Sequence, residues 1–435
     1  MSSIRKARNL YSLMKSQWKP YDELREIQNR KLRAIVKHAY ENVPFYREKF
    51  TSFGVNPDEI KTVDDLPKIP ITTKQEARDN YPGKIVARGV DLKKCWLPHT
   101  SGSSGMPLYV VYDEVTEDYE KALALRPNLT CGQGLFDKWV VVTSPLDIIE
   151  RKPKWFQRFG LFHTIDVSMM ADLDEQISII TREKPDVIDG YSSALFILAQ
   201  EVSRRGLEIR PKLVFSTGEL LAKEEREAIN AAFGVKMFDQ FGCVELSRTA
   251  WECPAHNGYH MDAESGIMEF LRDGKPVKPG ERGEITYTNL YNYAMPFIRY
   301  SVGDIGIPSD EKCSCGRGLP MMKVIEGRNN SLVRLPGGRM LPSLSFWSIM
   351  GMFSERDRIA KFRVIQDKLE EIRIQIVPKG EFTGDTANLL VKHVAQSIGS
   401  EVNILIEPVD DIPRDKSGKI HSVISKVGID WDSAS

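Results

Sequence analysis

The strongest constraint on the fold is an alternation, between residues 114 and 238, of short apolar runs with helix-length amphipathic segments. Trp139-Val140-Val141-Val142, Asp186-Val187-Ile188-Asp189, Leu213-Val214-Phe215-Ser216 and residues 235–238 have strand character. Residues 114–125, 175–182, 193–205 and 223–233 suit helices by their spacing and length. Such alternation implies βαβ units around a mainly parallel sheet. In sheets of this kind ligands bind beyond the carboxyl ends of the strands. Two segments stand at such ends: Ser216-Thr217-Gly218-Glu219 and Gln240-Phe241-Gly242-Cys243-Val244-Glu245.

The flanks have different textures. Residues 4–50 read as helix, interrupted at Asn42-Val43-Pro44 because a residue before proline is pushed out of the helical region. Leu66-Pro67-Lys68-Ile69-Pro70 is an extended connector, and Thr72 or Thr73 is placed to cap a short helix from Lys74. From Gly266 onward short strands and turns dominate, so a β-rich subdomain is expected around residues 250–326. After Gly327 to Asn330 come alternating runs at 362–365 and 372–377, an amphipathic helix at 386–397 and a strand at 402–406. The expected fold is α/β. A large N-terminal domain, 1–327, carries mainly parallel sheets flanked by helices plus the β-rich subdomain, and a small α+β lid domain follows at 328–435.

Lys plus Arg and Asp plus Glu number 60 each, so no global field calls for nucleic acid or an anionic membrane. No apolar run approaches a membrane span, and the start leads into no signal-peptide core. Six sparse cysteines argue for a reducing compartment rather than a disulfide framework, and the expected location is cytoplasmic.

One loop stands out chemically: Thr100-Ser101-Gly102-Ser103-Ser104-Gly105-Met106-Pro107. Glycines open unusual backbone conformations, so successive N–H groups can converge on an anion while hydroxyls add donors. No Gly-Lys-Ser/Thr ends the loop, so it is not a Walker A sequence.

Five separated segments then occur in the order and spacing of the adenylate-forming enzymes. They are residues 100–107, residues 241–245, Tyr300-Ser301-Val302-Gly303-Asp304, Gly327-Arg328 and Pro413-Arg414-Asp415-Lys416-Ser417-Gly418-Lys419-Ile420. The chain resembles that superfamily over nearly its whole length. Val43-Pro44-Phe45-Tyr46, Ile69-Pro70 and Cys313-Ser314-Cys315-Gly316 resemble its phenylacetate–coenzyme A ligase branch, which includes CapK-like proteins found with capsular polysaccharide genes.

The resemblance implies two steps: a carboxylate attacks the α-phosphate of ATP with loss of pyrophosphate, then a thiol or amine takes the acyl group. It implies that Thr100, Ser101, Gly102, Ser103, Ser104 and Gly105 hold the β- and γ-phosphates, and that Glu245 ligates Mg²⁺, a hard cation suited to oxygen ligands. Phe241 with Gly242 would receive adenine, Gly218 and Glu219 would border it, Asp304, at a turn after a strand, would accept the ribose hydroxyls and Arg328 would contact the ribose or phosphate. Lys419 would meet charge building on the α-phosphate, with Asn330 as the hinge. The sequence departs from the superfamily pattern at Leu108, where many members carry lysine, at Val244, where threonine is common, and at Asn330.

A separate group, Cys253, His260, Cys313 and Cys315, offers thiolates and an imidazole for a structural Zn²⁺, with His256 the alternative fourth ligand. The Cys-x-Cys-Gly turn recurs in the branch the chain resembles. The expected partners are a small carboxylic acid and either coenzyme A or an amine, with no nucleic acid, no membrane insertion and a possible homodimer. Three alternatives stand beside the thioester product: an amide ligase acting on a uronic acid or similar carboxylate in capsular polysaccharide biosynthesis, a nucleotide- and zinc-binding protein without catalysis, and a zinc-dependent nucleic-acid binder, which the zero net charge disfavours.

Overall fold

The computed structural model describes residues 2–99, 108–143, 148, 155–169, 171, 173–221, 223–326, 332–336, 340–342, 346, 349–350, 352–399, 401–412 and 423–427. Two compact units divide the chain, Met1–Ile325 and Glu326–Ser435. Among the described residues no helix is long and apolar enough to cross a membrane.

The first unit opens with helices Ser2–Ser16, Tyr21–Asn42 and Pro44–Ser52. Val43 is extended between the last two, and Pro44 begins the next helix at a position where its missing N–H costs nothing. Leu32, Ile35, Val36 and Ala39 lie on one face and are fully buried with Tyr46, Phe50, Met295 and Ile298. Thr73, rather than Thr72, caps the helix Lys74–Asp79. Its hydroxyl accepts the Glu76 N–H at 3.2 Å, and the Glu76 carboxylate accepts the Thr73 N–H at 2.7 Å. A reciprocal capping box of this kind contributes about 1 kcal/mol or more.

The strands in order are β1 Trp139–Thr143, β2 Thr164–Ser168, β3 Val187–Tyr191, β4 Leu213–Thr217, β5 Phe238–Cys243, β6 Ser247–Glu252, β7 Tyr259–Met261, β8 Gly266–Arg272, β9 Lys275–Pro276, β10 Gly283–Asn289, β11 Tyr300–Ser309 and β12 Met321–Glu326. They form one sheet in the order β2-β1-β3-β4-β5-β6-β7-β12-β11-β10-β8-β9. The βαβ half is parallel from β2 to β5, as the alternation implies. From β6 to β7, and on through β12, β10, β8 and β9, the described pairings are antiparallel. The expected β-rich subdomain is therefore the antiparallel half of the same sheet. Apolar alternation cannot reveal this, because it shows which face of a strand is buried but not which strand lies beside it.

Helices Leu173–Glu183, Ser192–Arg205 and Lys223–Phe233 bury Ile180, Leu195, Leu198 and Ile229 against Val140, Val142, Ile188 and Val214 on one face of the parallel half. Helix Glu114–Thr130 lies over the opposite face, capped by the Asp113 carboxylate on the Thr116 N–H at 2.8 Å. Residues 108–112 form no strand. Tyr109 and Tyr112 make isolated antiparallel bridges to His99 and Trp96.

In the second unit β13 Leu332–Arg334 pairs with β14 Met340–Pro342. β15 Ile359–Lys368, β16 Glu371–Pro378, β17 Asn403–Pro408 and β18 Val423–Ser425 form a sheet in the order β17-β16-β15-β18. Helix Gly384–Ile398 buries Leu390, Val394 and Ile398 with Val364, Ile372 and Ile374 of that sheet.

Candidate active site

The site grows out of the β5–β6 hairpin. Gly242 sits where strand and turn meet, and a Cβ on it would lie 2.3 Å from the Ser247 carbonyl oxygen, so only glycine lets the two strands close this tightly. The Leu246 N–H returns to the Cys243 carbonyl at 3.1 Å, making a tight turn with Val244 and Glu245 at its centre. The Tyr112 hydroxyl donates to the Val244 carbonyl at 3.1 Å. Tyr112 bridges Trp96 and Tyr109 bridges His99, so both flanks of the glycine loop meet beside this turn.

Glu245 is 3% exposed. Its Oε1 accepts hydrogen bonds from Lys74 Nζ at 3.0 Å and from the Tyr300 hydroxyl at 2.9 Å. Lys74 and Tyr300 are functional candidates that sequence reasoning missed. The usable signal was the capping box at Thr73, which fixes the first turn carrying Lys74, and the opening tyrosine of the Tyr300-to-Asp304 motif. Arg299, at φ +46°, fixes the start of that motif. Its guanidinium binds both Glu269 oxygens, at 3.1 and 2.9 Å, and the Ile69 carbonyl at 2.6 Å.

Asp304 was expected at a turn following a strand; instead it lies within β11. Between the pairs Thr286–Ser301 and Glu284–Ile305, β11 advances four residues against two on β10, and Gly303 takes φ +81° in this bulge. A bulge re-aims a side chain as a turn would, which is why the local sequence looks like one. Gly218, at φ +75°, and Glu219 follow the carboxyl end of β4. Phe241 is half-buried, packed against a core that includes Ala250, Met261, Phe270 and Met322. Thr100, Ser101, Gly102, Ser103, Ser104, Gly105, Arg328, Asn330 and Lys419 lie outside the described residues.

Beneath the strand ends, Asp239 accepts hydrogen bonds from the Ser216 and Tyr259 hydroxyls at 2.5 and 2.6 Å. Burial, reinforced by the Glu252 charge, lifts its carboxyl to about 6.

The structure brings Cys253, His260, Cys313 and Cys315 together, with all four ligand atoms within 4.8 Å of one another. Cys253 and Cys313 sulfurs are 3.6 Å apart, and Cys315 Sγ is 3.2 Å from His260 Nε2. A tetrahedral zinc shell with bonds of about 2.3 Å to sulfur and about 2.0 Å to nitrogen separates two sulfurs by about 3.8 Å, and sulfur from nitrogen by about 3.5 Å. Burial, then the Arg317 charge, pull His260 down to about 4, leaving a neutral ring with a lone pair. Burial pushes the Cys253 thiol up to about 12. Burial acts the same way on Cys315, but hydrogen bonds from the Arg317 backbone and side chain hold it below its ordinary value. His256 does not join the four. It stacks on Phe238 at 4.7 Å, with Nδ1 4.0 Å from Glu252.

Over 336 residues the chain is 30% identical to the phenylacetate–coenzyme A ligase of Escherichia coli, covering 74% of this chain and 75% of that one. The chain belongs to the phenylacetate–coenzyme A ligase family. A second family member, from Thermus thermophilus, is 25% identical over 447 residues and spans 93% of this chain and 97% of its own length. The CapK C-terminal domain family matches residues 344–426. In fold the chain is similar to 2-hydroxyisobutyryl-CoA ligase in its postadenylation state with 2-HIB-AMP, at a TM-score of 0.74 and 18% identity, covering 96% of this chain and 91% of that one.

Proposed function

We propose that this ligase-family chain joins a carboxylic acid to the α-phosphate of ATP, releasing pyrophosphate, and then passes the acyl group to the thiol of coenzyme A with release of AMP. The observation that carries this reading is Glu245, a buried carboxylate on the hairpin turn, held by a cation and a phenol beside the flanks of the glycine loop.

In this reading the Glu245 carboxylate holds Mg²⁺, whose charge neutralises the phosphates. Lys74, one hydrogen bond from that carboxylate, supplies the cation that the glycine loop lacks. The loop hydroxyls and amides of Thr100 to Gly105 hold the β- and γ-phosphates. Phe241 offers its open face to adenine, Gly218 and Gly242 give it room, and Glu219 borders it. Asp304, re-aimed by the bulge, accepts the ribose hydroxyls, and Arg328 contacts the ribose or phosphate. Lys419 stabilises charge on the α-phosphate in the first half-reaction, and Asn330 is the hinge residue between the 1–327 and 328–435 domains. Zn²⁺ is assigned to Cys253, His260, Cys313 and Cys315. Four protein ligands close its shell, so its role is structural.

Carboxylate-dependent ATP–pyrophosphate exchange tests the activity. Lys419→Ala is expected to abolish exchange while a supplied acyl-adenylate is still consumed with coenzyme A. Unimpaired exchange in that variant removes Lys419 from the mechanism, and the absence of exchange with every acid offered removes the adenylation itself.

A further inference from the structure

A polar cluster lies between helix Glu114–Thr130 and the sheet. Arg248, three residues beyond Glu245, donates to the Ala124 carbonyl at 2.8 Å, to Asn128 Oδ1 at 3.0 Å and to Asp189 Oδ2 at 3.3 Å. A guanidinium has no acceptor, so Asn128 must present its oxygen there, and the other amides are then fixed in turn. Gln240 must give its Nε2 to that same Asn128 oxygen, at 3.0 Å, which leaves Gln240 Oε1 facing away. Asn128 Nδ2 must donate to Gln133 Oε1, at 2.8 Å, which leaves Gln133 Nε2 facing away. Both outward atoms are buried and have no hydrogen-bond partner. Gln240 is 2% exposed and Gln133 4%. Trp139, packed beside Cys131 at the end of the same helix, adds a third open atom, a buried indole N–H without an acceptor.

We infer that this cluster is a recognition site for a hydroxylated carboxylic acid, whose hydroxyls take the open acceptor of Gln240 and the open donor of Gln133. The inference rests on the adenylation reading, which puts the reacting carboxylate near Glu245 and leaves the rest of the acid to run toward Arg248. A hydroxyl both donates and accepts, so hydroxyls can serve the open acceptor of Gln240 and the open donor of Gln133 alike. A second carboxylate suits it less, because Arg248 is already paired with Asp189 and Gln240 Oε1 would face a second acceptor. An alkyl or phenyl group leaves each open atom desolvated, a penalty of roughly tenfold to a hundredfold in binding per atom. Sites that hydrogen-bond a substrate hydroxyl discriminate strongly against the analogue lacking it.

The test is carboxylate-dependent ATP–pyrophosphate exchange by the full chain with matched acids: D-gluconate and D-glucuronate against hexanoate and phenylacetate. The expected result is at least tenfold higher kcat/KM for one or more of the hydroxylated acids. Gln240→Met and Gln133→Met are expected to raise the KM for that acid about tenfold with little change in kcat, and to leave the unfolding temperature unchanged or higher. Preference for hexanoate or phenylacetate overturns the inference, leaving a structural network completed by water while adenylation stands. Hydroxylated acids that exchange equally well in the two variants overturn it as well. No exchange with any acid, in protein that still binds ATP with Mg²⁺, overturns the adenylation reading and this inference with it.

Discussion

Replacing Cys313 with alanine probes the cysteine–histidine cluster most directly. The four donors come from different parts of the sheet: Cys253 follows β6, His260 lies in β7, and Cys313 and Cys315 lie between β11 and β12. That last segment also holds the N-terminal region. The Gly318 N–H donates to the Gln17 carbonyl at 3.0 Å, Arg317 Nε to Gln17 Oε1 at 3.0 Å, and the Arg317 guanidinium lies 4.3 Å from the Trp18 ring centre. Structural zinc sites bind with apparent free energies of about 10–16 kcal/mol, so one ligand in four accounts for roughly 3–4 kcal/mol, a loss of more than a hundredfold in affinity. The purified chain is expected to carry one zinc per molecule by elemental analysis. Cobalt substitution should give the visible bands of a tetrahedral site with three sulfurs and one nitrogen. Cys313→Ala is expected to lose the metal under a chelator that leaves wild type loaded, and to show faster amide exchange at both residues 310–320 and 16–20. Wild-type chain without zinc, and unable to take it up at micromolar metal, would refute the reasoning. So would a metal-free Cys313→Ala chain with unchanged exchange at residues 16–20.

Gly242→Ala drives a methyl into the Ser247 carbonyl at 2.3 Å; it is expected to cost about 1–3 kcal/mol of stability and, by displacing the Glu245 turn, to slow pyrophosphate exchange more than tenfold. Denaturant unfolding and exchange assays check both effects. Lys74→Met removes the cation 3.0 Å from Glu245. Its expected cost is about 2 kcal/mol, seen as an ATP KM raised by an order of magnitude or more with the KM for the acid little changed; equal rises in both would refute the phosphate role. Asp239 titrates near 6 in the folded chain against an ordinary value of 3.8, so its ionisation penalty is absent below about pH 4 and complete above about pH 6. Asp239→Asn should therefore gain stability relative to wild type as pH rises from 4 to 6.5, by on the order of 2–3 kcal/mol. A stability difference that stays constant over that range would refute it.

Three strands of the parallel half were legible because strands and helices alternate there at lengths that local periodicity can separate; the edge strand β2, Thr164–Ser168, was not, because it carries only two apolar residues. Residues 139–143, 187–191 and 213–217 needed nothing beyond their apolar runs. The antiparallel half was legible as strands but not as neighbours, since the pairing of β7 with β12 joins residues some sixty positions apart through only two residue pairs. Asp304 was placed in the wrong element because Gly303 signals a left-handed residue equally well in a turn and in a bulge. The grouping of Cys253 and His260 with Cys313 and Cys315 was readable from ligand chemistry. The exclusion of His256 was not, because it depends on the stacking surface that Phe238 offers. Lys74 was invisible for a related reason: a lysine in the first turn of a short helix resembles any solvated cation until its partner is known.

That partner bears on two of the departures from the superfamily pattern, those at Leu108 and Val244. A glycine loop without a lysine and a Val244 without a hydroxyl leave one cation and one hydroxyl wanting near Glu245. Lys74 and Tyr300 supply one of each, and a single backbone contact delivers both. The Thr72 N–H donates to the Arg299 carbonyl at 2.8 Å, and the Ser301 N–H returns to the Thr72 carbonyl at 2.9 Å, which pairs Thr72 with Tyr300. Lys74 lies two residues beyond that pairing on one side, and Tyr300 is part of it on the other. Arg299 locks the register from behind through Glu269 and the Ile69 carbonyl. Losing a side chain from the loop or the turn is therefore tolerable only while the 72–300 bridge holds. Damage to Arg299, far from any phosphate, should impair the site as severely as damage to Lys74 itself.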